Sequence, residues 1–177
     1  MKVSRTTPDD APAMAQVHAL AFEKPWTEDN FEDLMDGEGI FGLLACGDAP
    51  AGVLICRTAA GEAEVLTVGV AEDARCKGIG RALMTAAMSL ARQAGADEMF
   101  LEVDTANISA ITLYERLGFA RSGFRKAYYD RGEAGLADAL VMRLDLTRAA
   151  HLDLSLRQGR PWCRTASKSS AWRRTCG

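Results

Sequence analysis

A strand gives way to a helix within VGVAEDARCKGIGRA, the stretch that runs from Val68 to Ala82. Two glycines, Gly78 and Gly80, stand where the helix begins, and they let a ligand approach the backbone without meeting a Cβ. The first amides of a helix have no partner inside it, and the helix dipole adds positive potential there, so such a start binds anions. The stretch therefore predicts a phosphate-binding loop between a strand and a helix.

The spacing of these glycines excludes two common phosphate-binding motifs. No Gly-Lys-Ser/Thr follows, as a nucleotide P-loop requires, and the third glycine and the downstream acid of a dinucleotide fingerprint are misplaced. Lys77 and Arg81 add positive charge to the loop. We therefore expect a different phosphate-bearing cofactor. The plainer alternative is that Gly78 and Gly80 only permit a tight turn.

The residues on either side of the loop predict a mixed α/β fold. Alternating apolar residues predict strands over 1–7, 40–46, 51–58, 63–70, 99–103, 119–129 and 136–146. Apolar residues at helical spacing predict helices from 8 to 21, from 27 to 35, over 78–94 and over 109–117. The third of these helices joins two strands that should be parallel neighbours. The expected architecture is a twisted, mostly antiparallel sheet with one parallel pair, flanked by helices.

Charge is distributed unevenly along the 177 residues. Residues 1–146 carry 14 Lys and Arg against 23 Asp and Glu, a net charge of −9, whereas residues 147–177 carry 7 against 1, a net charge of +6. We therefore expect one domain over 1–146 and a basic extension over 147–177 that is disordered or loosely docked. An acidic body disfavours nucleic-acid binding and suits a cationic amine or a basic peptide.

Other simple features narrow the class of protein. No apolar run approaches the roughly 18 residues of a membrane span, and no secretory signal is visible, so a cytoplasmic location is expected. The five cysteines form no C-x-x-C pair and the two histidines are too few for a zinc site, so no metal is expected and the cysteines should act as reduced apolar fillers. His18 is expected in the core. A monomer and a weak dimer both stay open.

The loop is one of several motifs along the chain. They are Phe22-Glu23-x-Pro25-Trp26-Thr27, Arg75-x-x-Gly78-x-Gly80, Leu101-Glu102-Val103, Asn107-x-x-Ala110-Ile111-x-Leu113-Tyr114-Glu115, Leu117-Gly118-Phe119 and Tyr128-Tyr129. Together they resemble the ribosomal-protein-alanine N-acetyltransferase (RimI) branch of the GNAT acetyltransferase superfamily, over residues 1 to about 146. The resemblance implies the GNAT fold, acetyl-CoA as the cofactor, and the α-amino group of an N-terminal alanine on a ribosomal protein as the acceptor.

The resemblance also implies which residues hold acetyl-CoA. The pyrophosphate would be bound at Arg75, Cys76, Lys77, Gly78, Ile79, Gly80 and Arg81, and the pantetheine arm would pair with the backbone of Val68, Gly69 and Val70 as an extra strand. A glycine inside a strand often marks the close approach of a ligand or a bulge, which is how we interpret Gly69. Asn107 would contact the cofactor through its amide, or it could serve only as a helix N-cap. Cys76 departs from the Gly or Arg that related loops often carry.

The chemistry needs an unprotonated amine and a proton for the departing thiolate. An α-amino group has a pKa of roughly 7.7–8.0, so a carboxylate is a sufficient base near neutral pH. We expect Glu102 to be this base, because Leu101 and Val103 point to the opposite face of its strand. Glu64, on the strand that holds the thioester, is the rival. Tyr114, on the following helix, is expected to be the general acid.

The acceptor site and the function leave alternatives. By the resemblance, Tyr128 and Tyr129 border the acceptor groove and Trp26 lines its other side, although a Trp before a helix is as often a hydrophobic staple. The motifs favour N-terminal alanine acetylation, with a GNAT enzyme for a small amine, such as a polyamine or a drug, as the alternative. A third possibility is a non-catalytic acyl-CoA-binding module, which the presence of both Glu102 and Tyr114 disfavours.

Overall fold

The chain folds into a seven-stranded sheet with helices on both faces, in a computed structural model that describes residues 1–130 and 136–148, and the side chains of 1–126 and 138–148. The strands are β1 Lys2–Arg5, β2 Ile40–Cys46, β3 Pro50–Ala59, β4 Glu62–Val70, β5 Glu98–Asp104, β6 Ala120–Asp130 and β7 Leu136–Asp145. The helices are α1 Ala11–Ala19, α2 Glu28–Met35, α3 Ile79–Gln93 and α4 Ile108–Arg116. Every predicted strand and helix is present in its predicted order.

The sheet order is β1-β2-β3-β4-β5-β7-β6. Strands β4 and β5 pair in parallel, and the other neighbouring pairs are antiparallel. The parallel pair is joined through α3, as a parallel connection requires. The predicted mixed fold, with one parallel pair in a mostly antiparallel sheet, is therefore confirmed. Most of the extension, residues 149–177, lies outside the described residues.

Local sequence signals explain where the helices begin. The Thr27 hydroxyl accepts a hydrogen bond from the Asn30 amide, and the Asn30 side chain accepts one from the Thr27 amide, which forms a capping box for α2. Trp26 and Phe31 pack with ring centroids 5.5 Å apart, so the alternative interpretation of Trp26 as a hydrophobic staple is confirmed. Asn107 caps α4 by accepting from the Ala110 amide at 3.1 Å.

The two faces of the sheet are covered by different helices. Helices α3 and α4 bury one face in the larger core, which includes Leu83, Met84, Leu101, Val103 and Tyr114. Helices α1 and α2 cover the other face with a smaller core, which is formed by Ala11, Met14, Val17, Phe31, Leu44, Val53 and Ile55. We call the second surface the α1 face. No helix in the described part of the chain is both long and apolar enough to cross a membrane.

The parallel pair at the centre of the sheet is paired along only half its length. Strand β4 matches β5 from Glu62–Glu98 to Val65–Leu101. At Leu66, β4 has one residue more than β3 can pair, because Ile55 pairs with Thr67 whereas Cys56 pairs with Val65. Such a bulge bends its strand, and beyond it β4 and β5 no longer pair. We call the gap between residues 66–70 and 102–104 the β4–β5 cleft.

Candidate active site

The β4–β5 cleft leaves one edge of a strand without a neighbour. Residues Thr67 to Val70 of β4 stay paired with β3 on one side, while β5 has diverged on the other. Unpaired backbone amides and carbonyls of this kind bind an extended partner as an added strand. Val68, Gly69 and Val70 therefore lie where the backbone could pair with an extended ligand such as a pantetheine arm.

The predicted phosphate loop lies at the end of β4. Gly78 adopts a left-handed conformation at φ +81° as the N-cap of α3, and Cys76 is also left-handed at φ +61°. Gly78 offers no capping side chain, so the first amides of α3, at Ile79, Gly80 and Arg81, are left for an outside acceptor. A Cβ on Gly80 would come within 3.3 Å of Leu113, so this glycine also lets α3 approach α4 closely.

Two basic residues of the loop bind the chain itself. The Arg75 guanidinium donates to the carbonyl oxygens of Val70 at 3.3 Å and Ala21 at 3.4 Å, while the Lys77 ammonium donates to that of Asp73 at 2.9 Å. Arg75 thus ties the end of α1 to the end of β4. In this arrangement both side chains shape the loop, and their predicted contact with the cofactor stays a prediction.

Gly69 has a packing reason that the sequence did not indicate. A Cβ at this position would lie 2.6 Å from Cε2 of Phe22 and 3.0 Å from the Cβ of Ala21. The close approach at Gly69 on the α1 face is therefore made by the segment after α1. The bulge lies at Leu66, so our interpretation of Gly69 as a bulge is wrong, while the predicted approach of a ligand to its backbone stays a prediction.

Glu102 is the first residue of β5 that has no partner in β4, because it follows the last pair, Val65–Leu101. Leu101 and Val103 are buried in the larger core, so the Glu102 side chain projects on the α1 face, as predicted. Its side chain is 27% exposed and forms an ion pair with Arg125 of β6, with 3.4 Å between Oε1 and Nη1. The carboxylate is thus partly shielded, oriented by a cation and adjacent to the cleft.

Glu64 lies on the same face but at the closed end of the pair. It precedes the bulge, and its partner in β5 is Phe100. Its carboxylate binds the Arg57 guanidinium at 2.6 Å, and the two side chains are 44% and 54% exposed. With Phe100 they line an open groove at that end of the sheet. Glu64 therefore belongs to a surface ion pair away from the β4–β5 cleft.

Asn107 and Tyr114 belong to the N-cap and the body of α4, the element that follows β5 in the chain. Tyr114 is 6% exposed and packs against Phe119 with ring centroids 6.0 Å apart. The Asn107 carbonyl oxygen accepts at the N-cap, so the N-cap role is confirmed. Its amide group has two donors, and neither is used by another of the described residues. The roles of both residues toward ligands stay predictions.

A histidine network behind the cleft was missed by sequence reasoning. His18 is 3% exposed, as predicted for a core histidine, but both of its ring nitrogens are used. Nδ1 accepts from the Trp26 amide at 3.1 Å, and Nε2 lies 3.1 Å from the hydroxyl of Thr67 in β4. Burial lowers the pKa of His18 to about 4, so the ring is neutral at physiological pH. The position of His18 on an apolar helix face was the only signal in the sequence.

Aromatic rings hold this histidine in place. Phe22 stacks on it at 4.1 Å and Trp26 at 5.2 Å, and Phe31 meets it edge-on at 5.6 Å. Trp26 is half-buried, so part of it remains available to line a groove. Tyr128 and Tyr129, predicted on the opposite side of the acceptor groove, lie outside the described side chains.

The three described cysteines, Cys46, Cys56 and Cys76, differ in exposure, and Cys46 is half-buried. Cys56 is fully buried, and burial raises the pKa of its thiol to about 12, so it is an apolar filler as predicted. Cys76 is exposed in the phosphate loop, which differs from that prediction. Cys163 and Cys176 lie outside the described residues. Within residues 1–130 and 136–148, no three His, Cys, Asp or Glu side chains gather as a metal-binding group.

Comparison with known proteins decides what this arrangement is. The family model described as the acetyltransferase (GNAT) family matches residues 11–119, from α1 through the phosphate loop to the end of α4. The chain belongs to the GNAT acetyltransferase family. As a GNAT enzyme it is an acetyl-CoA-dependent N-acetyltransferase. The strand edge left open in the cleft and the first amides of α3 offer backbone donors that suit this cofactor.

Individual relatives support the assignment and confirm the RimI resemblance. The [ribosomal protein bS18]-alanine N-acetyltransferase of Salmonella typhimurium is 32% identical over 146 residues, which cover 82% of this chain and 97% of that protein. The crystal structure of the ribosomal-protein-S18-alanine N-acetyltransferase from Escherichia coli superimposes with a TM-score of 0.75 at 29% identity, covering 82% of this chain and 93% of that one. A mycothiol acetyltransferase from Thermobispora bispora is 48% identical, but over only 58 residues, or 33% of this chain and 20% of that protein.

Proposed function

We propose that this GNAT enzyme acetylates the α-amino group of a protein whose N-terminal residue is alanine, with a ribosomal protein as the acceptor. The relatives named for this activity match almost their whole length, whereas the mycothiol acetyltransferase matches over a fifth of its length. A match that includes the elements on both sides of the cleft supports a shared acceptor class better than a local match does. Acetyl-CoA supplies the activated acetyl group when it is bound.

The position of Glu102 is the observation that carries the proposal. It follows directly on Leu101, the last residue of β5 that pairs with β4, and its side chain projects on the α1 face beside the cleft. In the proposed reaction, Glu102 takes a proton from the attacking nitrogen, directly or through water, as the new nitrogen–carbon bond forms. Arg125 holds the carboxylate in position through the ion pair. Glu64 is disfavoured as the base because its strand is closed by β5 at that point.

Tyr114 completes the proton balance. As the carbon–sulfur bond breaks, its phenol gives a proton to the departing sulfur, whose conjugate acid has a pKa near 8.5, below the roughly 10 of a tyrosine. Exchange with solvent then returns both side chains to their starting states. Burial of Tyr114 on α4, beside Phe119, holds the ring in one orientation and supports this role.

The acceptor would lie between Trp26 on one side and Tyr128 and Tyr129 on the other. The Trp26 amide donates to His18 and the Trp26 ring packs on Phe31, and these two contacts fix the position of Trp26. The pyrophosphate would bind at residues 75–81 and the pantetheine arm at 68–70. Asn107 would add a contact from its amide group.

A thiol-release assay tests the proposal. Purified protein with acetyl-CoA and a peptide that starts with alanine should release free thiol over time, and mass spectrometry should place one acetyl group on the peptide α-amine. Tyr114→Phe should slow release about 100-fold while the calorimetric Kd for acetyl-CoA changes less than about 2-fold. Acetylation of spermidine without any peptide would favour the small-amine alternative. Binding of acetyl-CoA with no turnover of any amine would favour the acyl-CoA-binding module.

A further inference from the structure

The hydrogen bonds of His18 determine which nitrogen carries its proton. Nδ1 lies 3.1 Å from the amide nitrogen of Trp26, and an amide nitrogen can only donate. Nδ1 must therefore present its lone pair, and the neutral ring must carry its hydrogen on Nε2. The buried ring stays neutral, which agrees with the lowered pKa of about 4. The tautomer is thus imposed by the backbone before α2.

This tautomer also determines the direction of the Thr67 hydroxyl. Nε2–H points at the Thr67 oxygen 3.1 Å away, so Thr67 accepts there. A hydroxyl that accepts from one partner keeps its own hydrogen for another. Within the described residues, the Thr67 hydroxyl has no hydrogen-bond acceptor in the protein. Thr67 therefore holds an unused donor.

Thr67 and Glu102 stand on opposite sides of the cleft. Thr67 is two residues past Val65 and Glu102 one residue past Leu101, the last pair that joins β4 to β5. Both side chains project on the α1 face, because Thr67 contacts His18 of α1 and the neighbours of Glu102 are buried in the opposite core. Thr67 is half-buried, so its hydroxyl can reach a ligand in the cleft with few competing waters.

We infer that the Thr67 hydroxyl donates a hydrogen bond to the carbonyl oxygen of the thioester in the β4–β5 cleft, and that His18 is its positioning residue. This inference rests on the proposed function, since it places the thioester between Thr67 and Glu102. That oxygen gains negative charge as the amine attacks, and a donor whose direction is set beforehand stabilises the charge without reorganising. Thr67 keeps its proton throughout, so the proton balance between Glu102 and Tyr114 is unchanged.

Substitutions at Thr67 distinguish the effect of its hydroxyl group from the effect of its branched shape. Thr67→Val keeps the branched side chain and removes the donor, and it should lower kcat at least about 10-fold. Thr67→Ser should recover most of that loss. Thr58→Val, the same change on β3 outside the cleft, is the matched control and should leave kcat within about 2-fold. The calorimetric Kd for acetyl-CoA should stay within about 2-fold for all three variants.

Infrared spectroscopy tests the contact without turnover. With acetyl-CoA labelled with carbon-13 in the acetyl carbonyl, the bound thioester should absorb at lower frequency on the wild type than in water. The shift should shrink for Thr67→Val and return for Thr67→Ser. An equal carbonyl frequency on wild type and Thr67→Val, or a Thr67→Ser variant as slow as Thr67→Val, would overturn the inference. A wild type that binds acetyl-CoA and acetylates nothing would instead overturn the proposed function.

The positioning role of His18 has its own readout. His18→Asn places an amide near the Nδ1 position and removes the Nε2–H group that donates to the Thr67 oxygen. The kcat should therefore fall by several-fold. Adding this change to Thr67→Val should cost less than about 2-fold more, because His18 acts through the hydroxyl that is already gone. Fully additive losses in the double variant would contradict the positioning role. Nitrogen-15 NMR of the wild type should find the His18 proton on Nε2.

Discussion

The two halves of the β4–β5 pair contain similar residues in different surroundings. In the closed half, where residues 62–65 pair with 98–101, Glu64 stands within Ala-Glu-Val and binds Arg57. Glu98 binds Arg143 of β7, and the Arg143 guanidinium lowers the pKa of the Glu98 carboxyl. In the open half, Glu102 stands within Leu-Glu-Val and binds Arg125. Each glutamate has an arginine partner, so pairing alone does not distinguish a catalytic carboxylate. What sets Glu102 apart is its position beyond Val65–Leu101, the last pair that joins β4 to β5.

The difference teaches that the proposed site lies where the regular pairing of two strands is lost. Where β4 and β5 pair, their backbone amides and carbonyls form hydrogen bonds with each other, and a side chain can only lie on the surface of the sheet. Where they separate, β4 has amides and carbonyls left for a ligand, and side chains from both strands can reach the same ligand. One extra residue in β4 is enough to separate two such regions within nine residues of strand.

The largest expected effect is a loss of activity that tests the comparison between Glu102 and Glu64. Glu102→Gln should lower kcat/KM at least about 100-fold, because it removes the base but keeps the shape of the side chain. Glu64→Gln is the matched variant, and it should stay within about 3-fold of wild type. Thiol release measures both, and calorimetry with acetyl-CoA checks that the fold is intact. A larger loss for Glu64→Gln than for Glu102→Gln would reverse our assignment of the base.

A substitution at Gly69 tests whether the stability of the open half depends on its packing against the segment after α1. Gly69→Ala places a Cβ 2.6 Å from Phe22 and should lower the free energy of unfolding by about 2–3 kcal/mol through overpacking. Gly47→Ala is the control, since a Cβ there would meet nothing within 4 Å, and it should change stability by less than about 0.5 kcal/mol. Urea unfolding measures both. Equal stability of the two variants would contradict tight packing at Gly69.

The buried histidine gives the open half a pH dependence. Its pKa is 6.5 when unfolded and about 4 when folded, so the unfolded chain binds more protons between these values. The free energy of unfolding should therefore fall as the pH drops below 6.5, by about 2 kcal/mol at pH 5. The described ring contacts of His18 are Phe22, Trp26, Phe31 and Thr67, none of them charged. For His18→Asn, the free energy of unfolding measured in urea should fall less than that of the wild type as the pH drops from 6.5 to 5. An equal fall in both proteins would contradict the prediction.

The smallest effect belongs to the closed half. Arg57→Gln breaks an ion pair whose partners are about half exposed, so it should cost less than about 1 kcal/mol of stability, and less still in high salt. Activity should be unchanged. Thermal unfolding at low and high salt measures the loss. A stability loss above about 2 kcal/mol would contradict a weak surface pair, and a slower enzyme would mean that the closed half takes part in the site.

Much of the arrangement could be predicted from local patterns, because they act over a few residues. Alternation predicted the strands, and the two glycines before an alanine-rich helix predicted the loop. Leu101 and Val103 predicted the direction of Glu102. The reason for Gly69 and the role of Arg75 could not be predicted, since both depend on residues about 50 positions away, near the end of α1. The contact of His18 with Thr67 also spans 49 positions.

By itself, the sequence determined the strands, the helices, their order and the loop that marks a GNAT enzyme, because hydrophobic periodicity and helix capping are local. Only the tertiary structure decided where β4 leaves β5, and therefore which glutamate stands at an opening and which at a closed surface. It also decided the tautomer of His18 and so the donor at Thr67. These features depend on strand pairing and on contacts between α1 and β4, and side chains distant in sequence meet only once the sheet has formed.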